Sequence, residues 1–411
     1  MQTFHDWISF INGWLWGPPM LILLFGTHLY LTFRLRFIQR YIGLGIRLSV
    51  SRDKSGEGDI SQFGSLTTAL AATIGTGNIV GVATAVSLGG PGAVLWMWLT
   101  GVFGIATKYG EALLAVKYRQ KTSDVTMLGG PMFALEKGLG LRWLAILFCV
   151  FTSFAAFGIG NLTQANSVAL LVKDTINVEP QLTGFIMAVF TAAVIIGGVR
   201  SIAVVCEGLV PFMAIFYVGG CLIILALNAA VIIPACKLIA VSAFTPHAAG
   251  GGFIGATVLM AARYGVARGL FSNESGLGSA PIVAAAAKTR NPVRQALVSA
   301  TGTFWDTVVI CAMTGLVLVT TILRDPVGLG NITNGSALTK AAFAHIPYVG
   351  PVVLVVGLLT FVFSTILGWS YYGERAVEYL FGKKSLLPYR ILWVIAVYAG
   401  AVATLPMVWD L

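Results

Sequence analysis

The sequence predicts an all-α polytopic membrane protein built as two inverted five-helix repeats, each opened by a discontinuous helix. Three observations carry this. The 411 residues are 57% hydrophobic and only 10% charged, whereas a soluble domain holds about 25% charged residues. Apolar runs long enough to cross a bilayer recur along the chain. Two of those runs, 64–88 and 253–287, are each interrupted by a glycine-rich polar stretch, 73–78 and 271–279. Hydrocarbon leaves an unpaired backbone group unsatisfied, so irregular backbone at that depth must line a protected cavity. Two such breaks at matching places in two halves of a chain point to the binding site of a carrier.

Taken in order, the first span is 14–33. No basic stretch precedes it, so it reads as an anchor rather than a cleaved leader. The 34–63 loop carries Arg34, Arg36, Arg40, Arg47, Arg52 and Lys54, and its 37–51 stretch mixes basic and apolar residues as an interfacial segment does. The first broken span, 64–88, is followed by 92–116, a basic loop at 117–142, and spans at 143–172, 183–199 and 208–233. After an outer loop at 237–252 come the second broken span, 253–287, and 296–322. A second long outer loop, 331–351, precedes 349–372 and 391–409; either outer loop has room for a short interfacial helix. Nineteen of the 26 basic residues fall on alternate loops, which puts those loops in the cytoplasm and the N-terminus outside. The two broken spans then run in opposite directions, and their offset of five is what an inverted repeat requires. Residues 1–63 form an N-terminal helix and basic loop, 64–233 the first repeat and 253–411 the second, within a single membrane domain. The second repeat has four segments where the first has five, so its last core helix is expected to be missing.

Other functions fit poorly. The net charge of +10 is loop charge, with no basic run interleaved with aromatics as nucleic-acid binding needs. Cys149, Cys206, Cys221, Cys236 and Cys311 make no C-x-x-C pair, so neither a disulfide nor a metal site is expected. The four histidines form no relay. No nucleophile–base set lies at depth, which argues against an intramembrane enzyme, and two local breaks do not make the continuous polar stripe of a channel.

In the first break, Gly75 and Gly77 release the backbone, and Thr76 and Asn78 place polar groups beside it. The N–H groups of the helix resuming near Asn78 suit a carboxylate, and the carbonyls ending the preceding half-helix, at Ala71 and Ile74, suit a cation. In the second break, Glu274 contacts a substrate or ion, pairs with Arg268, or holds the unwound backbone. Ser279 and Pro281 read as the cap and first-turn proline of the restarted helix. Asp306, mid-span, is open to three readings: sodium ligand, proton relay, or partner of an arginine. Lys108 and Glu111 are one turn apart near a cytoplasmic helix end and are expected to pair. Asn161 and Gln164 are amides within an apolar span, and Gln164 is the better placed to reach a ligand. Ser364 and Thr365 offer hydroxyls to sodium, and Trp369, one turn on, could close an apolar pocket.

Several runs together resemble the alanine or glycine:cation symporter family, sodium-coupled carriers with the leucine-transporter fold. They are Ile74-Gly-Thr-Gly-Asn-Ile-Val-Gly-Val82, Gly89-Gly-Pro-Gly-Ala-Val-Leu-Trp-Met-Trp98, Gly129-Gly-Pro-Met132, Phe271-Ser-Asn-Glu-Ser-Gly-Leu-Gly-Ser-Ala-Pro281 and Phe363-Ser-Thr-Ile-Leu-Gly-Trp-Ser-Tyr-Tyr-Gly-Glu-Arg375. The resemblance covers nearly the whole chain, and the family has one helix before its ten-helix core. It implies symport of alanine or glycine with sodium across a cell membrane, by a monomer with no other cofactor. It also implies that Gly75, Thr76, Gly77 and Asn78 hold the substrate carboxylate with Gln164 nearby, and that Phe271, Asn273 and Thr365 surround the amine and Cα. Trp369 would limit side-chain size. Ala71, Ile74, Ser364 and Thr365 would form the sodium site. The family continues into one further helix, so the alternative is a form that binds amino acid without transporting it.

Overall fold

Glycine or proline stands at several of the points where the chain changes direction, among them Pro91, Gly276 and Gly278. The structure, a computed structural model, describes residues 17–51, 56–122, 126–246, 257–330, 332, 334–345 and 347–403. The ends of the 14–33, 253–287 and 391–409 segments, Arg52 and Lys54 of the first loop, and parts of both outer loops lie outside the described residues.

Helix α1 (Pro18–Arg34) begins on a first-turn proline. It meets, at a bend of 69°, a short 3-10 turn and α2 (Ile42–Val50). Gly45 lets α2 press on the backbone of Leu297, 2.6 Å from where a Cβ would stand. The first broken helix is α3 (Gln62–Thr73), a break at 74–76, a π-turn at Gly77–Gly81, and α4 (Val82–Gly89), with a 54° change of direction. Ser61 caps α3 by accepting from the Gly64 N–H at 2.7 Å. Helix α5 (Gly92–Lys117) follows Pro91, and the loop beyond it forms a two-stranded hairpin, β1 (Gln120–Lys121) with β2 (Met127–Leu128).

The predicted 143–172 span is α6 (Arg142–Phe157), a π-turn at Gly158–Leu162 and α7 (Thr163–Ile176). Helices α8 (Pro180–Ile195) and α9 (Gly198–Leu227) complete the first half, with Pro211 inside α9. Helix α9 starts ten residues before the predicted 208 because Arg200 and Glu207, which break the apolar pattern, lie within it. Helix α10 (Ile232–Ser242) follows, overlapping the start of the predicted 237–252 loop.

The second broken helix is α11 (Val258–Asn273) and α12 (Pro281–Ala284), separated by 274–280. Glu274 ends α11 in the left-handed region at φ 55°, and Gly276 and Gly278 follow at φ 91° and 80°, values that favour glycine. Then come α13 (Pro292–Thr303), a long π-segment at Phe304–Cys311, α14 (Ala312–Arg324), α15 (Gly335–Ala344) in the second outer loop, α16 (Val349–Phe381) and α17 (Leu386–Val402). Helix α16 runs nine residues past the predicted 372. Its charged end is buried and paired there: Arg375 with Glu378 at 2.5 Å, and Glu374 with Arg390 of α17 at 2.7 and 2.9 Å.

The largest apolar core lies where α3, α9 and α16 meet, with Tyr217, Phe361, Ile366 and Trp393 fully buried. The broken helices join at the end carrying the basic loops. The N–H groups of Asp59 and Ile60 donate to the Ala286 carbonyl at 2.8 and 3.2 Å, and the Lys288 N–H donates to that of Ile60 at 2.8 Å, forming a parallel bridge between Ile60 and Ala287. Arg119, beside the hairpin, clasps this junction. Its guanidinium donates to the carbonyls of Ala285, Ala287, Glu57 and Thr289 at 2.7–2.9 Å. The Asp59 carboxylate accepts from the Met127 N–H at 2.9 Å, and Lys121 pairs with Glu57 at 2.8 Å.

Candidate substrate and ion site

A helix that stops leaves its last carbonyls without intrahelical partners. At the end of α3 these meet two hydroxyls of α16. Ser364 Oγ lies 3.2 Å from the Ala71 carbonyl, and Thr365 Oγ1 lies 3.2 Å from that of Ile74. Both hydroxyls also donate to the Phe361 carbonyl, at 2.8 and 2.9 Å. The close approach depends on Gly368, where a Cβ would stand 2.7 Å from Ala72. Two carbonyls and two hydroxyls, all oxygen and all buried, form a ligand set suited to a hard monovalent cation.

Beside that set lies the open backbone of the first break. The Thr76 N–H faces Gln164 Oε1 at 3.4 Å, and Gln164 is itself oriented by donating to the Ile159 carbonyl at 3.0 Å. Gly75 fits between two side chains: a Cβ there would be 2.6 Å from Thr365 Oγ1 and 3.4 Å from Gln164 Oε1. Gly77 packs on the Phe271 ring, 3.3 Å from the Cβ position. Gly75, Thr76, Gly77, Gln164, Phe271 and Thr365, drawn from four parts of the chain, thus surround one spot.

Asn78 faces two ways. Its Oδ1 accepts from the Gly75 N–H at 2.9 Å, and its Nδ2 donates to Asp306 Oδ1 at 2.7 Å. Ser272 and Thr307 donate to the other oxygen of Asp306, at 2.9 and 2.6 Å. No arginine pairs with Asp306 among the described residues; its carboxylate ties the two breaks together through Asn78 and Ser272. In the second break Asn273 Oδ1 accepts from the Ser275 N–H at 2.9 Å, and its Nδ2 is buried without a partner.

Glu274 takes a scaffold position. It accepts from Ser279 Oγ at 2.5 Å, and no ion pair links it to Arg268 among the described residues. Ser279 therefore serves Glu274 instead of capping α12, although Pro281 does take the first helical position. Trp369 is 4% exposed, contacts the Tyr372 ring edge-on at 5.5 Å, and lies flush against Gly160, where any side chain would collide with it. Asn161 turns away and donates to the Trp393 carbonyl at 2.9 Å.

One expected contact is not made. Lys108 and Glu111 form no ion pair among the described residues; Glu111 instead accepts from the Gly278 N–H at 3.0 Å. Lys108 sits at depth, 3% exposed, because α5 continues through Lys117 and places it more than two turns inside. The sequence reading also assigned no part to Ser272, Thr307 and the Ile159 carbonyl. Ser272 was detectable as the neighbour of Asn273, but a carbonyl carries no sequence signal.

A family profile described as "Sodium:alanine symporter family" matches residues 1–411. The sodium/alanine symporter AgcS of Methanococcus maripaludis is 52% identical over all of this chain and 91% of its own length. The probable sodium/glutamine symporter GlnT of Bacillus subtilis is 36% identical over 100% and 85%. YrbD of the same organism, a putative sodium/proton-dependent alanine carrier protein, is 34% identical over 99% and 86%. Among solved structures, MhsT in complex with L-phenylalanine superposes with a TM-score of 0.56 at 15% identity, covering 85% of this chain and 83% of that one. That likeness shows the fold, a leucine-transporter-like arrangement.

Proposed function

Because the chain belongs to the sodium:alanine symporter family, we propose that it carries small neutral amino acids, alanine and glycine, together with sodium by alternating access across the cytoplasmic membrane. The observation that carries this reading is the oxygen set of Ala71, Ile74, Ser364 and Thr365 immediately beside the open backbone at Gly75 and Thr76. Sodium occupies the oxygen set. The substrate carboxylate lies on the N–H groups of 75–78, next to Gln164. Phe271, Asn273 and Thr365 surround the amine and Cα, and Trp369 bounds the side chain. Glu274 and Asp306 hold the two breaks in register, so that a change at one is felt at the other.

The rest of the architecture follows the same reading. Residues 64–233 and 253–411 act as repeats of opposite orientation, with the N-terminus outside and the basic loops in the cytoplasm. A zwitterion carries no net charge, so helix ends and one cation suffice to hold it, in keeping with the absence of an ion-paired arginine among the described residues at the site. The molecule works as a monomer in this scheme.

The test is uptake of labelled alanine into proteoliposomes with and without an inward sodium gradient. Uptake that requires the gradient and is competed by glycine is expected. Thr365→Ala, which removes one ligand, should raise the sodium concentration for half-maximal uptake by about tenfold, the equivalent of ~1.4 kcal/mol. Gradient-independent uptake, or an unchanged sodium response in the variant, would overturn the assignment.

A further inference from the structure

Two glycine contacts hold α16 from different sides just beyond the oxygen set. Gly368 faces α3, where a Cβ would stand 2.7 Å from Ala72. Its neighbour Trp369 faces Gly160, in the π-turn between α6 and α7. The atoms nearest to a Cβ added at Gly160 are Cβ and Cγ of Trp369, both inside any contact distance. A rotamer change would move the indole but not the Trp369 Cβ, which the backbone of α16 fixes. Main chain therefore rests directly on Cβ here, the close approach that small residues allow between helices in a membrane.

The π-turn is backed on another side by α17. Asn161 is fully buried and donates to the Trp393 carbonyl at 2.9 Å, and the Phe157 ring packs on those of Tyr389 and Trp393 at 5.2 Å. The same turn orients Gln164, whose Nε2 donates to the Ile159 carbonyl at 3.0 Å while its Oε1 faces the Thr76 N–H. Such turns recur at functional sites. Gln164 lies one turn along its helix from Gly160, and Thr365 one turn along α16 from Trp369. Gly75 of the first break fits between Gln164 and Thr365, whereas Gly160 and Trp369 meet directly. The second contact thus sets the spacing at the first.

We propose that Gly160 is a positioning residue for substrate selection: its missing side chain fixes the width of the gap between α7 and α16 in which the amino acid lies. Gly368 separately fixes the fit of the oxygen set between α3 and α16. A methyl group added at Gly160 drives the π-turn and α16 apart. Helix α3, packed on α16 at Gly368, moves with it, so the Ala71 and Ile74 carbonyls keep their hydroxyls while Gln164 draws away from Thr76. The inference rests on the symport reading.

The test compares Gly160→Ala with Gly368→Ala in the full chain. Thermal melting in detergent reads sodium alone, and competition of labelled-alanine binding by larger neutral amino acids reads the gap. Gly160→Ala should keep the sodium-induced rise in melting temperature and weaken alanine binding roughly three- to tenfold, the loss of one hydrogen bond. Larger competitors should gain relative to alanine. Gly368→Ala should lose the sodium-induced rise. In a Trp369→Gly background, which removes the opposing Cβ, Gly160→Ala should change the competition series no further. A packing role alone would lower the melting temperature and leave the series as in the wild type, which would overturn this inference but not the symport reading. Loss of the sodium-induced rise in Gly160→Ala as well would also overturn it. If Gly160→Ala does not fold by itself, it should fold in the Trp369→Gly background, and failure there too sinks the proposal. Wild-type protein with no sodium-dependent alanine binding would overturn both it and the symport reading.

Discussion

Single residues fix the dimensions of the site. Trp369 has no room to retreat, because Gly160 is already in contact with it and Tyr372 meets its edge. Trp369→Ala should therefore open the pocket toward larger side chains, at a stability cost of roughly 3–5 kcal/mol for an emptied aromatic volume. Competition of alanine uptake by a series of larger neutral amino acids measures it; an unchanged series would remove Trp369 from the pocket wall. Ser364, Thr365 and Trp369 stood out in the sequence because hydroxyls and an indole interrupt an otherwise apolar run, and the two hydroxyls do lie beside the Ala71 and Ile74 carbonyls. Lys108 was legible as a charge within the 92–116 span and was expected to pair with Glu111; that it is 3% exposed and forms no ion pair among the described residues was not, because the spacing of two residues on one helix does not show which way their side chains turn.

Whole elements move only if their junctions release. The basic-loop ends of the two broken helices are held by one parallel bridge and by Arg119, whose hydrogen bonds, involving a charged donor, each contribute about 1.5–3 kcal/mol net. Arg119→Ala should loosen this end. A cysteine placed by Ser65→Cys, in a Cys236→Ser background that removes the exposed native thiol, should then react faster with a maleimide applied from the basic-loop side. Equal rates with and without Arg119 would show that the clasp does not limit opening. The Lys121 ammonium hydrogen-bonded to Glu57 holds that carboxyl below its ordinary value. Its share of the clasp is present above the usual carboxylate range and is lost only as pH falls through the lowered value. Periodicity located the helices well but misplaced their ends. Helix α9 starts early because Arg200 and Glu207 lie within it, and α16 ends late because Arg375, paired with Glu378 on the same helix, and Glu374, paired with Arg390 of α17, are buried past the point where apolar residues stop. The hairpin at 120–128 was not legible, being two residues per strand.

At the scale of the whole molecule, the proposed ion set joins α3 to α16, so its occupancy should stabilise the entire bundle. A ligand bound only by the folded state contributes about 2.7 kcal/mol at a hundred times its Kd. Sodium should raise the melting temperature in detergent and alanine should raise it further only when sodium is present. The combined Ser364→Ala and Thr365→Ala variant should lose the sodium increment; an increment that survives would place the ion elsewhere.

The inner clasp has one more property. All four acceptors of Arg119 are main-chain carbonyls, which every amino acid supplies. Mutational drift at 285, 287 and 289 therefore leaves these acceptors in place, and at 57 it removes only the carboxylate that pairs with Lys121. Loss of Arg119 removes four hydrogen bonds at once, so inherited change weighs most on that one codon.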